Sequence, residues 1–261
     1  MEHEEGTFEG LKGYSIYWQA WKPDDEPKAV LLIAHGFGEH SGRYQNVVDS
    51  FVPLGYTIYA LDHRGHGRSD GERVVVDSYD QYVDDLKTFL DLVRSHEPGQ
   101  DIFLVGHSMG ASISTAFTAR YQDELAGVVL SGGGLATDRA PLRPAGLDLS
   151  ESLSRDPAVT KAYREDPLVF HGTPPTGRES AMAQMREVLP ELAKTIKLPV
   201  LIMAGAASPL GDGPRSEALY EVVASEDKTL KLYPELLHEI FNEPEHPQVL
   251  ADMAAWLERH T

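Results

Sequence analysis

Cysteine is absent from this 261-residue chain. That removes structural disulfides, thiolate nucleophiles and cysteine-ligated metals together, and it fits a reducing compartment. Long apolar runs are also missing, since no stretch approaches the roughly 18 residues that a membrane-crossing helix needs. Cations are scarce: 23 Lys and Arg stand against 41 Asp and Glu, for a formal charge of −18. Such a surface repels nucleic acid and anionic membranes. The opening Met1-Glu2-His3-Glu4-Glu5 has neither the basic nor the apolar region of a secretory leader, so a cytoplasmic location is expected. The 41% of hydrophobic and 25% of charged residues are those of a globular protein, and the length suits one catalytic domain with a modest insertion.

Ser15 to Lys22 reads as a strand with a hairpin partner around Thr7 to Glu9, an antiparallel edge closed by the turn Pro23 to Pro27. Four short β-branched runs follow: Ala29 to Ala34, Tyr56 to Leu61, Asp101 to Val105 and Ala126 to Leu130. Helical spacing fills the gaps, over Arg43 to Leu54, Ser78 to His96 (with a Ser78 to Gln81 capping box) and Met109 to Tyr121. Strands that alternate with helices require crossovers, so the fold class is α/β with a mostly parallel sheet.

The rhythm breaks after Leu130. Ser131 to Thr176 is irregular, with one short helix expected from Pro157 behind an Asp156 N-cap. It resumes with a Thr176 to Glu179 capping box, a helix broken near Pro190, the strand Pro199 to Ala204, a helix around Pro214 to Ala224, the strand Lys228 to Tyr233 and a closing helix from about Pro247 to His260. The expected division is a core of residues 1–131 and 177–261, with residues 132–176 inserted as a cap after the sixth strand.

Gly106-His107-Ser108-Met109-Gly110 sits between a strand and a helix, the context that makes G-x-S-x-G a nucleophile elbow of the α/β-hydrolase fold. Ser108 needs a base, and that fold orders the chain as serine, acid, histidine. His35, His63, His66 and His107 precede Ser108, His171 lies in the expected cap, and His246 and His260 belong to the last helix. Only His238 follows the final strand in a loop, and it is the expected base. The oxyanion donors are expected from Met109, next to the nucleophile, and from Phe37 in the glycine-rich His35-Gly36-Phe37-Gly38 loop.

The segments His35 to Tyr44, Asp62 to Gly71, Gly106 to Gly110, Asp166-Pro167-Leu168 and His238 to Glu243 together resemble monoacylglycerol lipases. The resemblance spans most of the chain. It implies hydrolysis of a monoglyceride to glycerol and a fatty acid, with Ser108 acylated, His238 moving protons, Phe37 and Met109 as the oxyanion hole, and no metal or organic cofactor. One position departs from it. The family carries Gly-x-x-Asp after the seventh strand, whereas this chain reads Gly205-Ala206-Ala207-Ser208, so the acid position holds Ser208. Three explanations stand: Asp212 reaches His238 along a rearranged loop; Asp138 or another carboxylate substitutes; or the chain is a weakened or altered enzyme.

In the expected cap, Leu135, Leu142, Leu147, Leu149 and Leu153 sit on a segment too irregular to form its own core, which suits a wall for an acyl chain. Each buried methylene contributes about 0.8 kcal/mol, enough for a short groove to favour fatty esters over acetates. The expected ligand is therefore a small lipid ester, with transient contact to lipid surfaces through the cap. His63 and His66 show no metal-ligand spacing, and with Asp62 and Arg64 they read as loop-stabilising residues. Two other functions remain open at this level: a broader carboxylesterase or lysophospholipase on the same machinery, and a hydrolase-like binding protein without useful catalysis. Dehalogenases and epoxide hydrolases of this fold use an aspartate nucleophile, which Ser108 speaks against.

Overall fold

Eight strands form one sheet in the order β1-β2-β4-β3-β5-β6-β7-β8. The strands are β1 (Glu2–Glu9), β2 (Ser15–Lys22), β3 (Ala29–Ala34), β4 (Tyr56–Leu61), β5 (Ile102–His107), β6 (Gly127–Ser131), β7 (Val200–Gly205) and β8 (Lys228–Tyr233). This computed structural model describes residues 1–140, 149–172 and 176–261, with the backbone only for 176–180 and 182. β1 and β2 pair antiparallel, β2 joins β4 antiparallel, and every later pairing is parallel. The sheet is flanked by α1 (Gln45–Phe51), α2 (Asp80–His96), α3 (Met109–Tyr121), α4 (Pro157–Glu165), α5 (Thr176–Ala193), α6 (Asp212–Val222) and α7 (His246–Leu257).

The unbroken apolar runs of the central strands follow from burial on both faces. Val30, Leu32 and Ala34 of β3 pack with residues of α2, α3 and α5, while the alternate Ala29, Leu31 and Ile33 pack with α1 and α7. A one-residue slip in register would exchange these two sets and misplace every loop at the strand ends.

Four departures from the sequence expectations have physical reasons. β1 runs the full length of β2, from Glu2↔Lys22 to Glu9↔Ser15. Its glutamates hide the strand pattern, and they suit an edge, where charge discourages pairing with another chain. In the first turn of α2, Ser78 Oγ accepts from the Asp80 amide at 3.2 Å, and Gln81 Oε1 accepts from the Asp77 amide at 3.3 Å. The box thus closes on neighbouring residues. α5 continues through Pro190 to Ala193 because buried Leu189, Ala193 and Ile196 anchor it, which offsets the hydrogen bond that proline cannot donate. The Thr176 to Glu179 capping box lies outside the described side chains. α6 begins at Asp212 rather than Pro214, because Gly211 adopts a left-handed turn (φ 76°) and so brings Asp212 into the first helical turn.

The C-terminal ends of β3, β5, β7 and β8 open onto one edge of the sheet. From them emerge the His35 loop, Ser108, the 206–212 loop and the His238 loop. No described helix is long and apolar enough to cross a membrane.

Candidate active site

Ser108 sits at φ 54° and ψ −114° between β5 and α3, a backbone conformation that L-residues rarely adopt. Its neighbours show why the turn must be lined by glycine. A Cβ on Gly106 would lie 2.5 Å from Ser114 Oγ, and one on Gly110 would lie 2.0 Å from the Ala34 carbonyl. The Ser108 amide donates to the Ser131 carbonyl at 2.8 Å, locking the elbow to β6.

His238 Nε2 lies 2.9 Å from Ser108 Oγ, and His238 Nδ1 lies 2.7 Å from Asp212 Oδ2. An ionised carboxylate only accepts, so Nδ1 carries the ring proton and Nε2 is left as the acceptor for the serine hydroxyl. Asp212 and His238 are 2% and 6% exposed, and in that water-poor setting their interaction is strong. Burial alone would raise the Asp212 carboxyl. The charge and hydrogen bond of His238, with the Ser208 hydroxyl, outweigh it and hold Asp212 below the usual carboxylate range. Burial alone would also depress His238, but the charge and hydrogen bond of Asp212, assisted by Glu239 and Glu39, raise it above 6.5. His107, whose ring centroid is 4.8 Å from that of His238, is pushed down to about 4 by burial and by the His238 charge, and stays neutral.

A pH dependence follows. Only neutral His238 can accept the Ser108 proton, so kcat/KM is expected to fall as pH drops through a midpoint above 6.5. In Asp212→Asn the largest raising influence is gone while the burial remains, so the residual activity should show its midpoint displaced downward. A pH–rate profile of both proteins checks the sign. An unmoved midpoint would separate the acid limb from His238.

Ser208, the position that the register assigns to the acid, makes no hydrogen bond to His238. It is buried, its Oγ accepts from the Leu210 amide at 3.3 Å, and its hydroxyl faces the Asp212 carboxylate. Of the three explanations for Ser208, the geometry fits the first: the left-handed Gly211 brings Asp212, four residues further along, onto the imidazole. Asp138, the other substitute considered, is exposed and bonds weakly to Thr137 at 3.5 Å.

The loop after β3 is fixed by its own side chains. His35 Nε2 accepts from the His63 amide at 2.9 Å, so Nδ1 bears the proton and donates to the Gly36 carbonyl at 2.7 Å. The Gly36 amide donates to Glu39 Oε1 at 2.6 Å. Gly38, at φ 77°, accepts at its carbonyl from the Phe170 amide at 2.7 Å. Phe37 and Met109 line the same cavity as Ser108 and His238. Met109 opens α3, so its amide has no acceptor within the helix.

Asp62 accepts from the Ser41 and Arg68 amides at 2.7 and 2.8 Å, and Arg64 grips Asp85 at 2.6 and 2.7 Å, which anchors the 62–71 loop. Burial pushes His63 well below its ordinary value and His66 down to about 3, so both are neutral packing rings. Among the described residues, no group of three or more His, Asp or Glu could hold a metal ion.

The sequence did not reveal how the His238 loop is held. Buried Glu243 accepts from the Leu237 amide at 2.6 Å and the Arg155 amide at 3.0 Å. The His238 and Glu239 amides donate to Ser152 and Leu153 carbonyls at 3.2 and 2.7 Å. Arg43 bridges Glu239 (2.6 and 2.8 Å) and Glu39 (2.8 Å), and Tyr44 donates to Glu39 at 2.9 Å. Gly205 presses on this loop from beneath, since a Cβ there would lie 1.9 Å from the Leu237 carbonyl. Gly205→Ala must shift the backbone next to His238, and a displacement near 1 Å is expected to lower kcat by about 10²-fold. Steady-state kinetics beside a melting curve separates that loss from unfolding.

Ser108, Asp212 and His238, with Glu39, Arg43 and Glu239, line a cavity of about 780 Å³. Its lining includes the mutually bonded Glu39, Arg43 and Glu239 and the apolar Met109, Leu135, Leu149, Leu153, Met185, Leu189 and Leu210. Of the leucines expected to meet an acyl chain, Leu135, Leu149 and Leu153 are in this lining, whereas Leu142 and Leu147 lie outside the described residues. Met185, Leu189 and Leu210 were not foreseen, because α5 carries no motif and the motif in the loop after β7 concerns its acid position alone.

The chain is similar to known ester hydrolases. A family model described as serine aminopeptidase, S33 matches residues 25–245. The monoacylglycerol lipase of Mycolicibacterium smegmatis is 38% identical, over 98% of this chain and 97% of its own length. The monoglyceride lipase of Homo sapiens is 32% identical, over 95% of this chain and 88% of its own. Among solved structures, a monoacylglycerol lipase from Paleococcus ferrophilus superposes with a TM-score of 0.79 at 29% identity, covering 100% of both chains.

Proposed function

We propose, from the premise that this chain belongs to the hydrolase family described as serine aminopeptidase S33, that it hydrolyses monoacylglycerols to glycerol and a fatty acid. The observation that carries the reading is the hydrogen-bonded line Asp212–His238–Ser108, 2.7 and 2.9 Å, opening onto a cavity lined by both polar and apolar side chains. The lipases of Mycolicibacterium smegmatis and Homo sapiens support the choice of substrate.

Ser108 Oγ attacks the ester carbonyl as its proton passes to His238 Nε2, and Asp212 stabilises the imidazolium. The amides of Phe37 and Met109 receive the oxyanion. Collapse of the tetrahedral species breaks the ester bond, and His238 returns the proton to the departing glycerol oxygen. Water then enters, gives a proton to His238 and attacks the acyl-Ser108 carbon. The second collapse releases the fatty acid and restores the serine hydroxyl with the proton held on His238. The polar side chains of Glu39, Arg43 and Glu239 suit the glycerol hydroxyls, and the leucines and methionines suit the acyl chain.

In this proposal residues 132–176 act as a cap over a core of residues 1–131 and 177–261, touching lipid surfaces transiently while the enzyme works in the cytoplasm. No metal or organic cofactor takes part.

A fluorophosphonate probe tests the reading together with an assay of glycerol release from a medium-chain monoglyceride. Labelling is expected on the peptide that contains Ser108, and the monoglyceride should protect against it. Labelling without glycerol release would point to a different ester. Absence of both would leave a binding protein.

A further inference from the structure

The cavity holds more positive charge than a neutral monoglyceride uses. Of the four arginines that line it, two are paired with carboxylates: Arg43 with Glu39 and Glu239, and Arg164 with Glu151. Arg215 on α6 and Arg186 on α5 also line it, yet neither guanidinium has a hydrogen-bond or ion-pair partner among the described residues. Arg215 is half-buried. Burial lowers its basicity, the Asp212 charge opposes that, and the like charge of Arg186 lowers it further.

Arg186 is exposed, so the cost falls on Arg215: a guanidinium half withdrawn from water with no side-chain partner is unfavourable, and the like charge of Arg186 adds repulsion. Forty-one acidic residues were available to neutralise the pair. An oxyacid anion would satisfy both, because the planar fork of arginine matches carboxylate and phosphate oxygens in bidentate fashion. Apolar Leu135 and Met185 line the same cavity as the pair, and Met185 is the residue before Arg186 on α5. In such surroundings a charge-assisted bond is strong.

We propose that Arg215 and Arg186 form an anion subsite in the α5–α6 wall of the cavity, which takes a carboxylate or phosphate carried by an ester substrate. The inference rests on the ester hydrolysis proposed above and extends its substrates to anionic lipid esters. The anion can reach the site from either side of the scissile bond. A terminal carboxylate would come on the acyl chain, and a phosphate would come on the glycerol.

Three esters distinguish these sources: monodecanoylglycerol, its glycerol-phosphate counterpart, and the glycerol monoester of sebacic acid with a free terminal carboxylate. The readout is the ratio of kcat/KM for each anionic ester to that for the neutral one, in the natural chain and in Arg215→Gln and Arg186→Gln. At least one ratio is expected to fall about tenfold or more in each variant, and the fall should shrink in high salt. A fall confined to the phosphate ester places the subsite at the head group; one confined to the carboxylate ester places it along the acyl chain. Equal ratios in natural chain and variants overturn the inference, provided Ser108 is still labelled by fluorophosphonate to show an intact site. Failure of the neutral ester alone, with kcat/KM for an anionic ester still lowered by Arg215→Gln, would instead overturn the monoglyceride reading.

Discussion

Asp212→Asn is expected to lower kcat/KM on a medium-chain monoglyceride by about 10⁴-fold. Asparagine fills the same space, but its amide can present a donor to His238 Nδ1. The imidazole then places its proton on Nε2, facing Ser108, and can no longer act as a base. The lost charge also removes the stabilisation of imidazolium in a pair that is almost wholly buried. Ser208→Asp provides the contrast. It restores the family's residue at the family's position, yet here it would set a second carboxylate beside Asp212, where two like charges cannot both ionise cheaply. No gain in rate is expected from it. A large gain from Ser208→Asp, with Asp212→Asn neutral, would return the acid to its usual place in the chain. Ser208→Ala removes only a neutral hydroxyl from the carboxylate and should cost less than about tenfold.

Arg43→Met is expected to destabilise the protein by about 3–5 kcal/mol, because it leaves Glu39 and Glu239 buried without their cation. Both carboxylates are nearly inaccessible, and Arg43 is held charged against its own burial by Glu239 first and Glu39 second. For a chain of this length the loss corresponds to a melting temperature roughly 6–20 °C lower. Adding Glu39→Gln and Glu239→Gln to the Arg43→Met variant removes the stranded charges and should recover much of the stability. No recovery would mean that the arginine acts by packing over Tyr163, whose ring centroid lies 4.8 Å from it. Activity should fall as well, since Glu39 holds the Gly36 amide and Glu239 adjoins His238.

The sequence expressed the fold clearly wherever one physical rule governed a segment. The central strands are apolar because both faces are covered, and Ser108 was marked because only glycine fits on either side of so sharp a turn. His238 could be found by its place after the last strand. Three features were less legible. Asp212 depends on the left-handed Gly211, and a glycine permits such a path without selecting it. The edge strand β1 was hidden by glutamates that belong on an edge. The Glu39–Arg43–Glu239 and Glu243–Arg155 networks join residues far apart in the chain through single side chains, and no local spacing announces such pairs. The motif segments contained Glu39, Arg43, Glu239 and Glu243, but pattern alone did not say what they hold.

The central claim is that Asp212 orients the base of Ser108. Proton NMR tests it most directly, through the far-downfield resonance of the His238 Nδ1–H that a buried imidazolium–carboxylate pair produces. The resonance is expected in the natural chain, titrating with a midpoint above 6.5, and it should persist in Ser208→Ala and vanish in Asp212→Asn. A resonance that survives Asp212→Asn and is lost with another carboxylate would contradict the account.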